Sequence, residues 1–183
     1  MAASDAVLYE KFIIESTDGK RTADIKEGVV FFSYFENVFS PHLTAKVQVS
    51  NTGSTIEGED GVMTSLYNGL PLVGGERVII KVSGNSATNK GLKFDTPEKY
   101  FYVSNVSKQF SDGSKEIFTL DLVSREAITN ETSRVVKRYP KESKISDHVK
   151  TIIEDRLAST IKDEDIDETV NKYGFIGNLK KRF

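Results

Sequence analysis

The chain has no cysteine and no tryptophan among its 183 residues. Without thiols it can form no disulfide and no thiolate metal site. The missing tryptophan excludes nothing. Histidine is nearly absent as well. His42 and His148 are the only two. Their distance in sequence argues against zinc and leaves few positions for a histidine base. Long hydrophobic runs are also missing. The longest strongly apolar stretch, Val29-Val30-Phe31-Phe32, is far too short for the ~20 residues that span a bilayer. The start, Met1-Ala2-Ala3-Ser4-Asp5, has no basic region followed by an apolar one, so the protein is expected to be made and kept in a cytoplasm. In that setting the sequons at Asn105 and Asn130 are read as chance. Charge of one sign is lacking too. Lys and Arg number 25, Asp and Glu 27, for a net charge of -2 with both signs mixed. No basic cluster suggests a phosphate-binding surface. No phosphate loop, dinucleotide fingerprint or Gly-x-Ser-x-Gly elbow occurs.

What remains is rich in strand formers. The length suits one domain, or one domain plus a small appendage, and buries a core without staples. Leu8 to Ser16 followed by Asp18-Gly19 reads as a strand entering a hairpin turn, because glycine accepts the positive φ that tight turns need. Val29 to Val38 is apolar on both parities, which predicts burial on two faces or against a partner. Ser40-Pro41-His42 breaks it at a turn or sheet corner. Leu43 to Ser50 alternates strictly: Leu43, Ala45, Val47 and Val49 share one face, and Thr44, Lys46, Gln48 and Ser50 the other. Asn51 to Leu70 is loop chemistry, with one or two helical turns over Val62 to Tyr67. Gly74-Gly75 opens a strand from Glu76 to Val82, and Ser83 to Gly91 is a polar hairpin arm. Tyr100 to Val106 and Lys115 to Val123, around Ser111-Asp112-Gly113-Ser114, form a second hairpin.

Beyond Val123 the period changes. Ser124 to Thr132 predicts a short helix or turn, and Arg134 to Tyr139 is ambiguous before Pro140. Ser143 to Leu157 predicts an amphipathic helix with Ile145, Val149, Ile152, Ile153 and Leu157 on one stripe. Ser143, Ser146 and Asp147 can supply its capping oxygens. His148 lies off that stripe, on a face expected to be solvated. Asp163-x-Asp165-x-Asp167 imitates the start of a calcium loop. That loop needs glycine at position six and a carboxylate at position twelve, where this chain has Glu168 and Gly174, so a solvated linker is expected. Lys180-Lys181-Arg182 is too short a basic run to hold nucleic acid. Carboxylates are many, yet no spacing singles out an acid-base pair. No catalytic residue, metal ligand or cofactor site is therefore expected, and the chain reads as a non-enzyme.

Three stretches in order resemble baseplate hub proteins of contractile-tailed bacteriophages. Gly69-Leu70-Pro71-Leu72-Val73-Gly74-Gly75-Glu76-Arg77-Val78-Ile79-Ile80 is similar to that family's Pro-apolar-x-Gly-x-Glu turn into a strand. The hairpin Tyr100 to Val123 follows, with its Phe-Thr-Leu-Asp-Leu strand. Ser124 to Leu157 then has a helical turn, Lys137-Arg138-Tyr139, and the helix with Ser146-Asp147. The resemblance implies a mainly β fold with accessory helices (α+β), an antiparallel tail-tube-like β-barrel or sandwich plus an amphipathic helix. It divides the chain into a tube-like β domain (1–123), a helical appendage packed on the barrel (124–160), and an acidic linker and tail toward a next domain (161–183). A hub of this family has two tube-like domains, so this chain corresponds to the first part of one, or to a short variant.

The implied role is structural. The subunit would join the tail tube to the central spike at the virion tail baseplate after assembly in the host cytoplasm. It would self-associate into a ring (trimer or hexamer) and touch tail-tube, spike and baseplate wedge proteins. DNA would pass through without specific binding, and no membrane is involved. Subunit contacts are expected at the Pro41-His42 corner, in the loop from Asn51 to Pro71, and at Glu76. The alternatives are a tail-tube or tube-initiator subunit and, in another class, a receptor- or carbohydrate-binding β-module using Phe31, Phe32, Tyr34 and Phe35.

Overall fold

A computed structural model describes residues 7–40, 42–53, 56–57, 61–70, 72–86, 88–112, 115–134, 140, 142–159, 166–170 and 172. The chain divides into two compact units, Met1–Ser124 and Arg125–Phe183.

The first unit is a mainly antiparallel β structure. Its strands are β1 (Leu8–Glu15), β2 (Thr22–Asp24), β3 (Val29–Phe35), β4 (Thr44–Thr52), β5 (Ile56–Glu57), β6 (Met63–Thr64), β7 (Arg77–Ser83), β8 (Leu92–Phe94), β9 (Phe101–Asp112) and β10 (Lys115–Ser124). Eight of them form one sheet in the order β2-β1-β7-β9-β10-β4-β3, with β8 alongside β7. β5 and β6 pair separately. The Asp18-Gly19 signal does produce a hairpin. Gly19 has φ +70, the Asp18 carboxylate accepts from the Lys20 N–H at 3.0 Å, and β2 returns along Ile13 to Glu15.

One face of this sheet carries the core. Phe12 and Ile14 of β1, Ala45, Val47 and Val49 of β4, Val78, Ile80 and Val82 of β7, and Phe118, Leu120 and Leu122 of β10 are all buried. The period of two read for Leu43 to Ser50 is realised from Ala45 onward. Each large apolar side chain fully removed from water contributes about 1.5–3 kcal/mol, so these strands can be ordered only in the register that points this set inward.

The sheet curls on itself. Phe12 of β1 meets Phe32 of β3 edge to face, with ring centroids 5.4 Å apart. Four strands separate β1 from β3 along the sheet, so β3 at one margin meets the strand next to the other margin across the core. Bulges in β1 (between Tyr9 and Lys11) and β3 (between Val29 and Phe31) supply local bending. No backbone ladder joins β3 to β1 among the described residues. The expected barrel is thus not closed; the observed form is an open, rolled sheet.

Other expectations shift. The helical turns expected over Val62 to Tyr67 begin later, as α1 (Leu66–Gly69) behind a Ser65 cap, whose hydroxyl accepts from the Asn68 N–H at 3.4 Å. Ser83 to Gly91 leads into β8, a short strand that places Phe94 against Phe101 at 4.8 Å.

The second unit holds α2 (Arg125–Thr132) and α3 (Ile145–Thr151), the latter continuing as a π-helical turn over Ile152–Arg156. Asp147 accepts from the Lys144 N–H at 3.3 Å, as its position at the helix start suggested. Ser146 and Thr169 exchange backbone-to-hydroxyl bonds of 3.2 Å in both directions. Along the expected apolar stripe, Ile145 and Val149 are exposed. The Lys137-Arg138-Tyr139 segment lies outside the described residues. Among the described residues no helix is long and apolar enough to cross a membrane.

Candidate assembly edge

Among the described residues β3 is paired on one side only, with β4, from Phe31 opposite Gln48 to Phe35 opposite Thr44. Its inner face carries Phe32, against Phe12, and Tyr34, against Phe94 at 5.5 Å. Its outer face carries Phe31, Ser33 and Phe35. Phe31 is 40% exposed and Phe35 51%. Val30, at the bulge, is exposed too, and the turn after the strand leaves Val38 and Phe39 about nine-tenths exposed. That turn is ordered: the Asn37 side chain accepts from the Phe39 N–H at 2.9 Å, and the Asn37 carbonyl accepts from the Ser40 N–H at 2.9 Å. Scattered surface leucines need no explanation, but an apolar row along an unpaired strand edge does.

The reading of Val29 to Val38 as apolar on both parities therefore finds its place. These residues form the margin of the sheet, with one parity on the core and the other open. Phe32 and Tyr34 belong to the inner set, so a four-ring aromatic platform is not formed. The Tyr34 hydroxyl donates to Glu36 at 2.8 Å. Burial, then the hydrogen bond and charge of Glu36, push its pKa up to about 12.

The four residues expected at subunit contacts fall differently. Pro41 and Pro71 lie outside the described residues. His42 is partly buried, and its Nδ1 is shut from solvent with no hydrogen-bond partner among the described residues. The corner it occupies is tied to the end of β10, where the Ser124 N–H donates to the Leu43 carbonyl at 3.0 Å and the Leu43 N–H to the Ser124 hydroxyl at 3.2 Å. Glu76 is 1% exposed. Its carboxylate accepts from the Val73 N–H at 2.8 Å and the Gly74 N–H at 3.1 Å. Gly74 and Gly75 take φ of +105 and +90, a conformation that L side chains avoid. This turn wraps its backbone donors around the buried carboxylate, and Gly75 then donates to the Val103 carbonyl at 2.7 Å. Glu76 works inside its own unit, anchoring the entry to β7.

The outer face of the sheet interior is mixed: Ile79, Ile117 and Val123 lie on it, half-buried, among polar side chains. Asp121 of β10 accepts from Asn105 and Ser107 of β9 at 3.2 Å each and lies 3.2 Å from Lys46 of β4. Burial alone would raise the Asp121 carboxyl. The bonds from Asn105, Lys46 and Ser107 outweigh it and hold the pKa below the usual range.

A cleft of about 790 Å³ opens where β2 and the end of β4 diverge, with Ala23, Ile25, Val49 and Leu66 among its walls. Its titratable lining is Lys20, Arg21, Asp24, Glu27 and Glu57. Among the described residues no three His, Asp or Glu side chains converge on a metal position. No family model matches the chain, and no curated protein is significantly similar to it.

Proposed function

We propose that this chain is a structural subunit of a phage tail baseplate hub, joining the tail tube to the central spike and lining the DNA channel, with no catalytic activity of its own. The observation that carries this reading is the apolar margin of the rolled sheet, unpaired among the described residues, next to an outer face whose Lys46 and Asp121 pair with each other. Strand edges are natural sites of chain-to-chain pairing, and a ring needs each subunit to offer such edges. The tail-tube-like form of the domain belongs to the same proposal. The rolled sheet supports it, since neighbouring copies could supply the pairing that the open margin lacks.

Charge suits the outer face to a DNA channel. Lys46 and Asp121 neutralise each other on the outer face, and the net charge is -2. A conduit built from such surfaces offers DNA few cations to bind. The proposed partners are copies of itself in a trimeric or hexameric ring and tail-tube, spike and wedge proteins, in a virion tail.

Co-expression with tail-tube and spike proteins tests the proposal. Joint purification, and rings with an open centre in electron micrographs, are the expected result. A chain that meets only the tube protein, and stacks with it, would be a tube or tube-initiator subunit instead. A chain that ignores both and binds glycans would defeat the structural reading.

A further inference from the structure

The structure also assigns a partner to the free edge of β3: we infer that a second copy of this chain docks there, as an antiparallel β3–β3 pair about a two-fold axis through Ser33. One edge cannot serve both a two-fold pair and a ring neighbour, so a ring closed through β3 excludes this pair.

The outward row is Phe31-Ser33-Phe35 and the inward row around the same centre is Phe32 and Tyr34. In an antiparallel pair centred on Ser33, Phe31 lies opposite Phe35 of the second copy, Ser33 opposite Ser33, and Phe32 opposite Tyr34. The strand is thus its own complement, which an isologous contact requires. Directly opposite aromatic residues are favourable cross-strand neighbours. The edge also lacks the usual protections. No charge and no proline stand between Val29 and Phe35, and the bulge at its start leaves Phe31 to Phe35 in regular register. Glu36, the first charge after the strand, would lie roughly 20 Å from its symmetry copy, at ~3.3 Å per residue.

The patch is large enough. At roughly 200 Å² for a whole aromatic side chain, Phe31, Phe35 and Phe39 together leave about 350–400 Å² in water. Val30, Val38 and the edge backbone bring the surface toward the ~600 Å² per partner of the smaller stable interfaces. The two-fold register sets Val30 opposite Glu36 and brings the turn with Val38 and Phe39 toward Glu27 and Gly28, just ahead of the other copy's β3.

The absence of cysteine makes a clean test. In Ser33→Cys the two new thiols would face each other across the axis with Cα atoms about 4.5–5.5 Å apart, inside the ~4.4–6.8 Å range that a disulfide bridges. Mild oxidation is expected to give a covalent dimer. Lys46→Cys, one strand inward, would stand roughly 15 Å from its copy at ~4.8 Å per strand and should stay uncoupled. Light scattering on the unmodified chain should show a dimer that dissociates on dilution, and Phe35→Lys should shift that dissociation at least tenfold while circular dichroism stays unchanged. A unmodified chain that remains monomeric at high concentration overturns the inference. So does Ser33→Cys coupling no faster than Lys46→Cys. Rings of three or six copies without the Ser33→Cys link would overturn the two-fold pair yet leave the hub proposal standing.

Discussion

β3 and β4 lie side by side, and they differ in almost every respect that decides what a strand is for. β4 is paired on both sides, with β3 and β10, and alternates strictly, so its apolar residues are spent on one core. β3 is paired on one side among the described residues and carries large apolar residues on both faces. The lesson is that alternation marks a strand satisfied by its own fold. An apolar residue of the wrong parity is surplus, and on an open edge that surplus is available to another chain.

Several substitutions sharpen or break this contrast. The largest effect belongs to the paired interior: Phe118→Ala, at 0% exposure on β10, should cost about 3–5 kcal/mol in urea denaturation. Glu76→Ala comes next. It removes a buried carboxylate that accepts from the Val73 and Gly74 N–H groups and should cost about 1.5–3 kcal/mol, hydrogen bonds to charged groups being the stronger ones. Asp121→Asn should cost about 1 kcal/mol near neutral pH, and its effect carries a pH signature. The folded pKa of Asp121 is depressed, so its ionised form stabilises the fold above the ordinary aspartate range near 3.9. That contribution fades as pH falls through the lower folded pKa. Parallel denaturation curves should therefore converge for the two proteins in acid, and a constant gap would deny the charge its role. The smallest effect is expected at the margin. Phe35→Ser should change unfolding by less than about 0.5 kcal/mol, as exposed substitutions do, while weakening self-association. If it costs as much as Phe118→Ala, β3 is core and the contrast between the strands collapses.

Much of the sheet was legible in the sequence. β4 and β10 announce themselves by period, and the two Asp-Gly turns by the φ they require, although Gly113 lies outside the described residues. β2 and β8 were not legible as strands because three residues hold no periodicity. The strand order was hidden as well, since β1–β7 and β4–β10 pairing joins segments about seventy residues apart and local pattern has no reach over that distance. The assembly edge was half legible. Double-sided apolarity identified Val29 to Val38 as unusual. Only the topology reveals that this segment ends the sheet, and only the geometry separates exposed Phe31 and Phe35 from inward Phe32 and Tyr34. Glu76 shows the converse case. A carboxylate beside two glycines looks like a surface feature in sequence, and it is buried because the turn backbone supplies its donors.

The meeting of Phe12 and Phe32 bears on how the molecule acquires its shape. The two rings are separated by four strands along the sheet yet sit only about twenty residues apart in the chain. Closing that short loop is cheaper by about 1 kcal/mol of chain entropy than closing the seventy-residue loops of the interior pairings. The seam can therefore form first and template the curl, with β7, β9 and β10 laid in afterwards. Phe32→Leu should then slow refolding more than it speeds unfolding in stopped-flow measurements, whereas a β10 substitution such as Leu120→Ala should act chiefly on unfolding.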